Sequence, residues 1–166
     1  ATMAAIVYLG LGTNLGDKEQ HLRQAIQKIE EQVGKVISLS AFYVTAPWGF
    51  ESKNTFLNAA ACVVTTLSPH KLLSATHQIE REMGRTVKSV NHSYADRVID
   101  IDLLLYDDLV LQNNDLIIPH PLMQERDFVM KPLAEIAPGL MHPVRKKTMK
   151  DLLLAIEPNA GSIPGK

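Results

Sequence analysis

The segment Arg97-Val98-Ile99-Asp100-Ile101-Asp102-Leu103-Leu104-Leu105-Tyr106 restricts the fold of this chain more than any other. A run this apolar reads as a buried strand. Residues two apart in an extended chain project from one face, so Asp100 and Asp102 stand side by side. Two carboxylates in a partly buried place repel, and each is costly to bury without a partner. Two readings resolve the conflict. In one, a divalent cation sits between them, since magnesium is commonly held by one or two carboxylates and completed by water and phosphate oxygens. In the other, both aspartates mark the solvated start of the strand. The pair alone does not choose between them.

The remainder of the chain decides what surrounds that strand. With 166 residues and 46% hydrophobic content it suits one domain over residues 1–166 with a substantial core. Its 17 basic and 18 acidic residues provide no global field for nucleic acid or an anionic membrane, so any anion site must be local. The single cysteine, Cys62, lies in an apolar run and reads as a small buried hydrophobe. Neither a signal peptide nor a bilayer-length apolar stretch is evident, which makes a cytoplasmic protein the expectation.

Periodicity supplies the order of elements. Ala4 to Leu9 reads as a short strand, and the glycine-rich stretch from Gly10 to Gly16 as a tight turn into a helix with Leu22, Ile26, Ile29 and Val33 on one face. Asp17 with Gln20 suits its cap. That stretch misses the dinucleotide fingerprint by one position and lacks the lysine of a P-loop. Val36 to Thr45 and Phe56 to Thr66 read as strands, joined by a long aromatic connection that suits a functional loop. Ser68 and Pro69 open a second helix, lined by Leu72, Thr76, Ile79 and Met83 and stopped at Gly84. Arg85 to Asp96 reads as a mobile polar loop into the aspartate strand.

Strand, helix, strand, strand, helix, strand is the split β-α-β, ferredoxin-like α+β order, an antiparallel sheet with helices on one face, here with a C-terminal extension. In that extension, Leu109 to Leu111 and Leu116 to Ile118 suit short edge strands, and Pro119-His120-Pro121 starts a loop or short helix. Thr148 and Asp151 suit a capping box before a last helix, Met149 to Ile156, with a frayed tail from about residue 158.

Cations and donors gather around the aspartate strand: Arg85, Lys88 and Arg97 before it, His120 and Arg126 after it. Phosphoryl transfer needs such a mixture, because charge on the transferred and leaving groups must be neutralised. Each residue alone also reads as solvated surface or turn. Trp48, Phe56 and Phe128, with Asn58 on the same strand face as Phe56, could hold a planar heterocycle; ordinary core is the alternative for the two phenylalanines.

These residues carry a resemblance. The aspartate strand followed by Pro119-His120-Pro121-x-Met123-x-x-Arg126-x-Phe128-Val129-x-x-Pro132-Leu133-x-Glu135-Ile136-Ala137-Pro138 resembles the signature of the 6-hydroxymethyl-7,8-dihydropterin pyrophosphokinase family of folate biosynthesis. Gly12-Thr13-Asn14-Leu15-Gly16, Tyr43-x-Thr45-x-Pro47, Phe56-Leu57-Asn58-Ala59, Ile79-Glu80 and Gly84-Arg85 support it, so that it spans about residues 5 to 157.

The resemblance implies transfer of diphosphate from ATP to the hydroxymethyl group of the dihydropterin, with AMP as the other product. It implies two magnesium ions on Asp100 and Asp102, with Arg85 and Arg97 joining them as catalytic residues. For the pterin it implies Asn58 and the backbone of Thr45, Ala46 and Trp48 at the edge, with Phe56 and Phe128 on the faces. For ATP it implies His77, Lys88, Arg97, Ile101, His120 and Arg126. Small-molecule substrates only, no nucleic acid, no membrane and a monomer complete the expectation.

Four departures stand out. Val87 and Tyr94-Ala95-Asp96 replace an arginine and a Trp-Gly-Pro of many members. Phe56 stands where tyrosine is common. Asp115 stands where members place an arginine, so no nucleotide contact is carried over from that stretch. Two other classes compete on the residues alone: a metal-dependent phosphodiesterase or nuclease, which would want a further ligand such as Glu80, and a non-enzymatic ferredoxin-like ligand- or RNA-binding domain, which would want a basic sheet surface.

Overall fold

A computed structural model describes residues 4–45, 55–84 and 98–161 of the chain, the last five of these as backbone only. The elements run β1 (Ala5–Thr13), α1 (Lys18–Gln32), β2 (Gly34–Leu39), β3 (Tyr43–Thr45), β4 (Phe56–Thr65), α2 (Pro69–Glu82), β5 (Asp100–Tyr106), β6 (Leu111–Gln112), β7 (Ile117–Ile118), α3 (Asp127–Ile136) and α4 (Met149–Gly161). The main sheet is antiparallel in the order β2-β4-β1-β5, with β3 also paired to β4.

Alternation along the strands divides the molecule into two cores. Leu9, Leu11, Ala61, Val63, Ile101 and Leu103 face α1 and α2, where Leu22, Ile29, Leu72 and Ile79 close over them with no exposed surface on the helix side. Ala60 and Leu104 face the other way, onto Met130 and Leu133 of α3 and Met149 and Leu152 of α4. The two helices between the strands therefore share one face, while the C-terminal extension folds back as a second layer over the opposite face. The sequence reading assigned no helix to Asp127–Ile136: Pro132 interrupts its pattern, and the segment is apolar on more than one side because both the sheet and α4 pack against it.

The helix ends follow local chemistry. Asp17 accepts a hydrogen bond from the Gln20 amide at 3.2 Å, Ser68 from Lys71 with Pro69 at the first helical position, and Thr148 from Asp151 at 3.1 Å. Gly84, at φ +105°, ends α2 where an L side chain would be strained.

Several expected boundaries need correction. β1 does not stop at Leu9 but runs to Thr13, pairing on both sides through Gly10 and Gly12; the turn is confined to residues around Gly16, at φ +65°. The expected strand Val36 to Thr45 is broken. Ser40 causes the break: its amide donates to the Ala60 carbonyl and its hydroxyl accepts from the Ala60 amide, both at 2.9 Å, holding the chain to β4 while residues 40–42 leave the ladder. Among the described residues β6 and β7 pair only with each other, as a separate hairpin, and do not extend the main sheet. α4 continues to Gly161, past the expected start of fraying.

Candidate active site

The register of three strands assembles the site. Asn58 of β4, Gly12 of β1 and Asp100 of β5 lie in one row across the sheet, and Ala60, Gly10 and Asp102 lie in the next but one. Directly opposed residues of an antiparallel ladder share a face, so the aspartates, both glycines, Asn58 and Phe56 all lie on the side covered by α3 and α4. Ile101, between the aspartates, is buried on the other side. The two carboxylates are half-buried and adjacent, as the spacing predicts.

The glycines matter for what they lack. A Cβ on Gly12 would stand 2.8 Å from Asn58 Oδ1 and 3.7 Å from the Phe56 ring. A Cβ on Gly10 would meet the Leu104 side chain at 3.4 Å. Any side chain at position 12 would displace the Asn58 amide, which donates to Thr45 Oγ1 at 2.6 Å and is 6% exposed. The two glycines thus let the Asn58, Phe56 and Leu104 side chains approach the sheet closely beside the aspartates. Sequence reasoning took these glycines for a turn; a glycine at every second position of an apolar run was the available sign of close approach.

The segment after β5 brings the donors. The His120 amide donates to the Leu104 carbonyl at 3.0 Å, which docks this segment along β5. Burial pushes the His120 imidazole below its ordinary pKa, Arg126 pushes the same way, and Asp100 opposes them. His120 Nδ1 accepts from the Leu122 amide at 3.3 Å, which assigns the proton of the neutral ring to Nε2 as a donor. Arg126 is buried at the start of α3, its guanidinium 5.6 Å from the centroid of the Phe128 ring.

At the outer edge of β5 a cavity of about 280 Å³ is walled by Leu73 and His77 of α2, residues Ile101, Asp102 and Leu103, the 114–117 stretch of the β6–β7 hairpin, and His120 with Pro121. It joins His77, Ile101, Asp102 and His120, four of the residues expected to meet ATP and its metal. Asn114 and Asp115 were not expected there. No local signal marks them, because they reach the cavity only through the return of the hairpin, where His70 meets Asp115 at 3.4 Å. Ala46, Trp48, Arg85, Lys88 and Arg97 lie outside the described residues.

Among the described residues no group of three or more histidine, cysteine, aspartate or glutamate side chains could enclose a metal by itself. Glu80, the extra carboxylate a nuclease would use, accepts a hydrogen bond from the Ile101 amide at 2.8 Å from the α2 side. Two adjacent half-buried carboxylates suit a hard cation that keeps several ligand positions for water or phosphate, which is the preference of magnesium. Paired carboxylates with nearby cationic groups are among the parts that phosphoryl transfer by charge neutralisation uses.

Comparison with known proteins sharpens that class. Residues 8–138 match the family described as 7,8-dihydro-6-hydroxymethylpterin-pyrophosphokinase (HPPK). A 2-amino-4-hydroxy-6-hydroxymethyldihydropteridine pyrophosphokinase of Porphyromonas gingivalis is 49% identical over 140 residues, covering 84% of this chain and 95% of the relative. The Aquifex aeolicus protein of the same name is 40% identical over 147 residues, 89% of each chain. The chain belongs to the HPPK family. A solved structure of Plasmodium falciparum HPPK-DHPS with pteroate superposes with a TM-score of 0.81 at 16% identity, over 98% of this chain and 46% of that one, so the present chain spans just under half of that protein and shares its fold.

Proposed function

We propose that this chain transfers diphosphate from ATP to the hydroxymethyl group of 6-hydroxymethyl-7,8-dihydropterin, giving AMP and the pterin diphosphate, a step of folate biosynthesis. Family membership and the named relatives support the reaction. The observation that carries the assignment of the site is the row Asn58, Gly12, Asp100, with Asp102 beside it: a side-chain amide seated against a glycine, and a carboxylate pair, on one sheet face.

In this reading the pterin lies over Gly12, its edge hydrogen-bonded by Asn58 and the backbone of Thr45, Ala46 and Trp48, its faces met by Phe56 and Phe128. Thr45 fixes the Asn58 amide before ligand arrives, which lowers the cost of orienting the pterin. ATP occupies the cavity along β5, against Ile101 and His77, with its phosphates toward His120 Nε2–H, Arg126, Arg85, Lys88 and Arg97. Asp100 and Asp102 would hold the two magnesium ions. When bound, those ions neutralise phosphate charge and bring the two substrates together. The pterin hydroxyl oxygen bonds to the β-phosphorus as the bond from that phosphorus to the α,β-bridging oxygen breaks, AMP leaves with that oxygen, and the hydroxyl proton passes to solvent. No protein nucleophile is required.

The sheet order fits the ferredoxin-like split β-α-β plan, and we assign that fold, one domain over residues 1–166, a monomer, small-molecule substrates only and a cytoplasmic location. Among the described residues no helix is long and apolar enough to cross a membrane. Incubation with ATP, magnesium and the hydroxymethyl dihydropterin is expected to yield AMP and pterin diphosphate in equal amounts. ADP with a pterin monophosphate, or no reaction, overturns the proposal.

A further inference from the structure

We propose that Glu80 is the positioning residue of the aspartate pair, acting through the backbone of Ile101; this rests on the reading of Asp100 and Asp102 as the metal-holding residues. Among the described residues β5 is the last strand of the main sheet and pairs with β1 along one side only. An edge strand turns alternate amides and carbonyls outward, where no neighbouring strand fixes them. The Ile101 amide, midway between the two aspartates, is one of these. Glu80 Oε2 accepts from it at 2.8 Å.

Two observations set this contact apart from generic helix packing. Glu80 is 3% exposed, on the inner face of α2 among Leu72, Thr76 and Ile79. An apolar residue would fill that position without the cost of burying a carboxylate. The carboxylate instead makes a charge-assisted hydrogen bond to a peptide group that links the two functional residues. Three residues on, the next outward contact of β5 is the Leu104 carbonyl with the His120 amide. The strand edge is thus pinned at both ends of the segment that borders the cavity, once by α2 and once by the His120 segment. A carboxylate pair that must meet cations at defined distances gains from a backbone that does not shift, as outer partners of metal ligands do elsewhere.

The test compares Glu80→Gln, which keeps an acceptor oxygen without charge, with Glu80→Leu, which keeps volume and loses the acceptor. The readouts are the magnesium concentration for half-maximal turnover, KM for the pterin, and hydrogen exchange of the Ile101 amide. For Glu80→Leu the magnesium requirement is expected to rise about 10- to 100-fold, with pterin KM unchanged and Ile101 exchange accelerated. Glu80→Gln should stay near the parent in all three. A Glu80→Leu protein with the parent's magnesium requirement refutes the proposal, and so does Glu80→Gln behaving like Glu80→Leu, since charge and not the hydrogen bond would then matter. If Glu80→Leu does not fold, Glu80→Asp, which withdraws the acceptor by one methylene, must raise the magnesium requirement; an unchanged requirement refutes the proposal. Failure of the underlying reading is seen separately, as unaltered magnesium dependence in Asp102→Ala while Ile101 exchange still responds to the Glu80 variants.

Discussion

The two faces of the main sheet are built from the same strands and differ in almost everything else. On the α1/α2 face, Leu9, Leu11, Ile101 and Leu103 alternate into a dry core. On the other face their immediate neighbours are Gly10, Gly12, Asp100 and Asp102, residues that pack poorly, and α3 and α4 cover that face around Ala60 and Leu104. One face holds the strands together; the other uses the resulting rigidity. From Asp100 to Leu103 side chains alternate between the two faces, so a change of one position there moves from the aspartate face to the α1/α2 core; the register shift beyond Leu103 puts both Leu104 and Leu105 on the α3/α4 side.

Substitutions on the two faces should therefore fail differently. The largest effect is expected from Asp102→Ala: turnover falls by about a thousandfold or more, while the circular dichroism spectrum and unfolding midpoint stay close to those of the parent. Leu9→Ala, on the opposite face, should do the reverse. Leu9 is fully buried, so about 2–5 kcal/mol of stability is lost, measured by urea unfolding, with kcat preserved at temperatures where the variant remains folded. A Leu9→Ala protein that is stable but slow would erase the distinction between the faces.

Gly12→Ala sharpens it further. The new methyl would stand 2.8 Å from Asn58 Oδ1, and the flexible amide must turn aside. We expect KM for the pterin to rise about tenfold, a cost of roughly 1.4 kcal/mol, with KM for ATP little changed. Equal loss for both substrates would show that Gly12 serves the sheet and not the setting of Asn58.

The smallest effect concerns pH. His142, near the start of α4, is buried, and its Nδ1 accepts from the amides of Val144 and Arg145 at 3.2 and 3.0 Å. Burial first, and Arg145 second, hold its pKa below the ordinary value. His120 is shifted the same way by burial and Arg126. The unfolded chain binds protons on these residues at a pH where the folded chain does not. Their contribution to stability is therefore complete above the unfolded value of about 6.5 and is lost as pH falls through the lower folded values. Unfolding midpoints should decline between pH 7 and pH 5, and His142→Gln should make that decline shallower. An unchanged slope would remove His142 from the account.

What could be read in advance depended on how local its cause is. The Asp100/Asp102 alternation, the caps at Asp17, Ser68 and Thr148, and the inner faces of α1 and α2 follow from period and side-chain chemistry within a few residues. β1 was cut short because Gly10 and Gly12 answer to Leu104 and Asn58, distant in sequence, and only the sheet register reveals the need for them. The break at Ser40 depends on Ala60, twenty residues away, and α3 is concealed by Pro132 and by packing on two sides. The cavity wall at Asn114 and Asp115 has no local signature, since a hairpin brings it back to α2. Glu80 was visible as part of Ile79-Glu80, but its partner is a backbone amide, which no side-chain pattern announces.

The central claim is that the sheet face carrying Asn58, Asp100 and Asp102 is where pterin and magnesium-bound nucleotide meet. A crystal structure with magnesium, a non-hydrolysable ATP analogue and the hydroxymethyl dihydropterin tests it most directly. The account predicts magnesium bound to carboxylate oxygens of both Asp100 and Asp102, with the pterin over Gly12 and hydrogen-bonded to Asn58. Metal bound away from the aspartates, or a pterin seated elsewhere on the molecule, would contradict it.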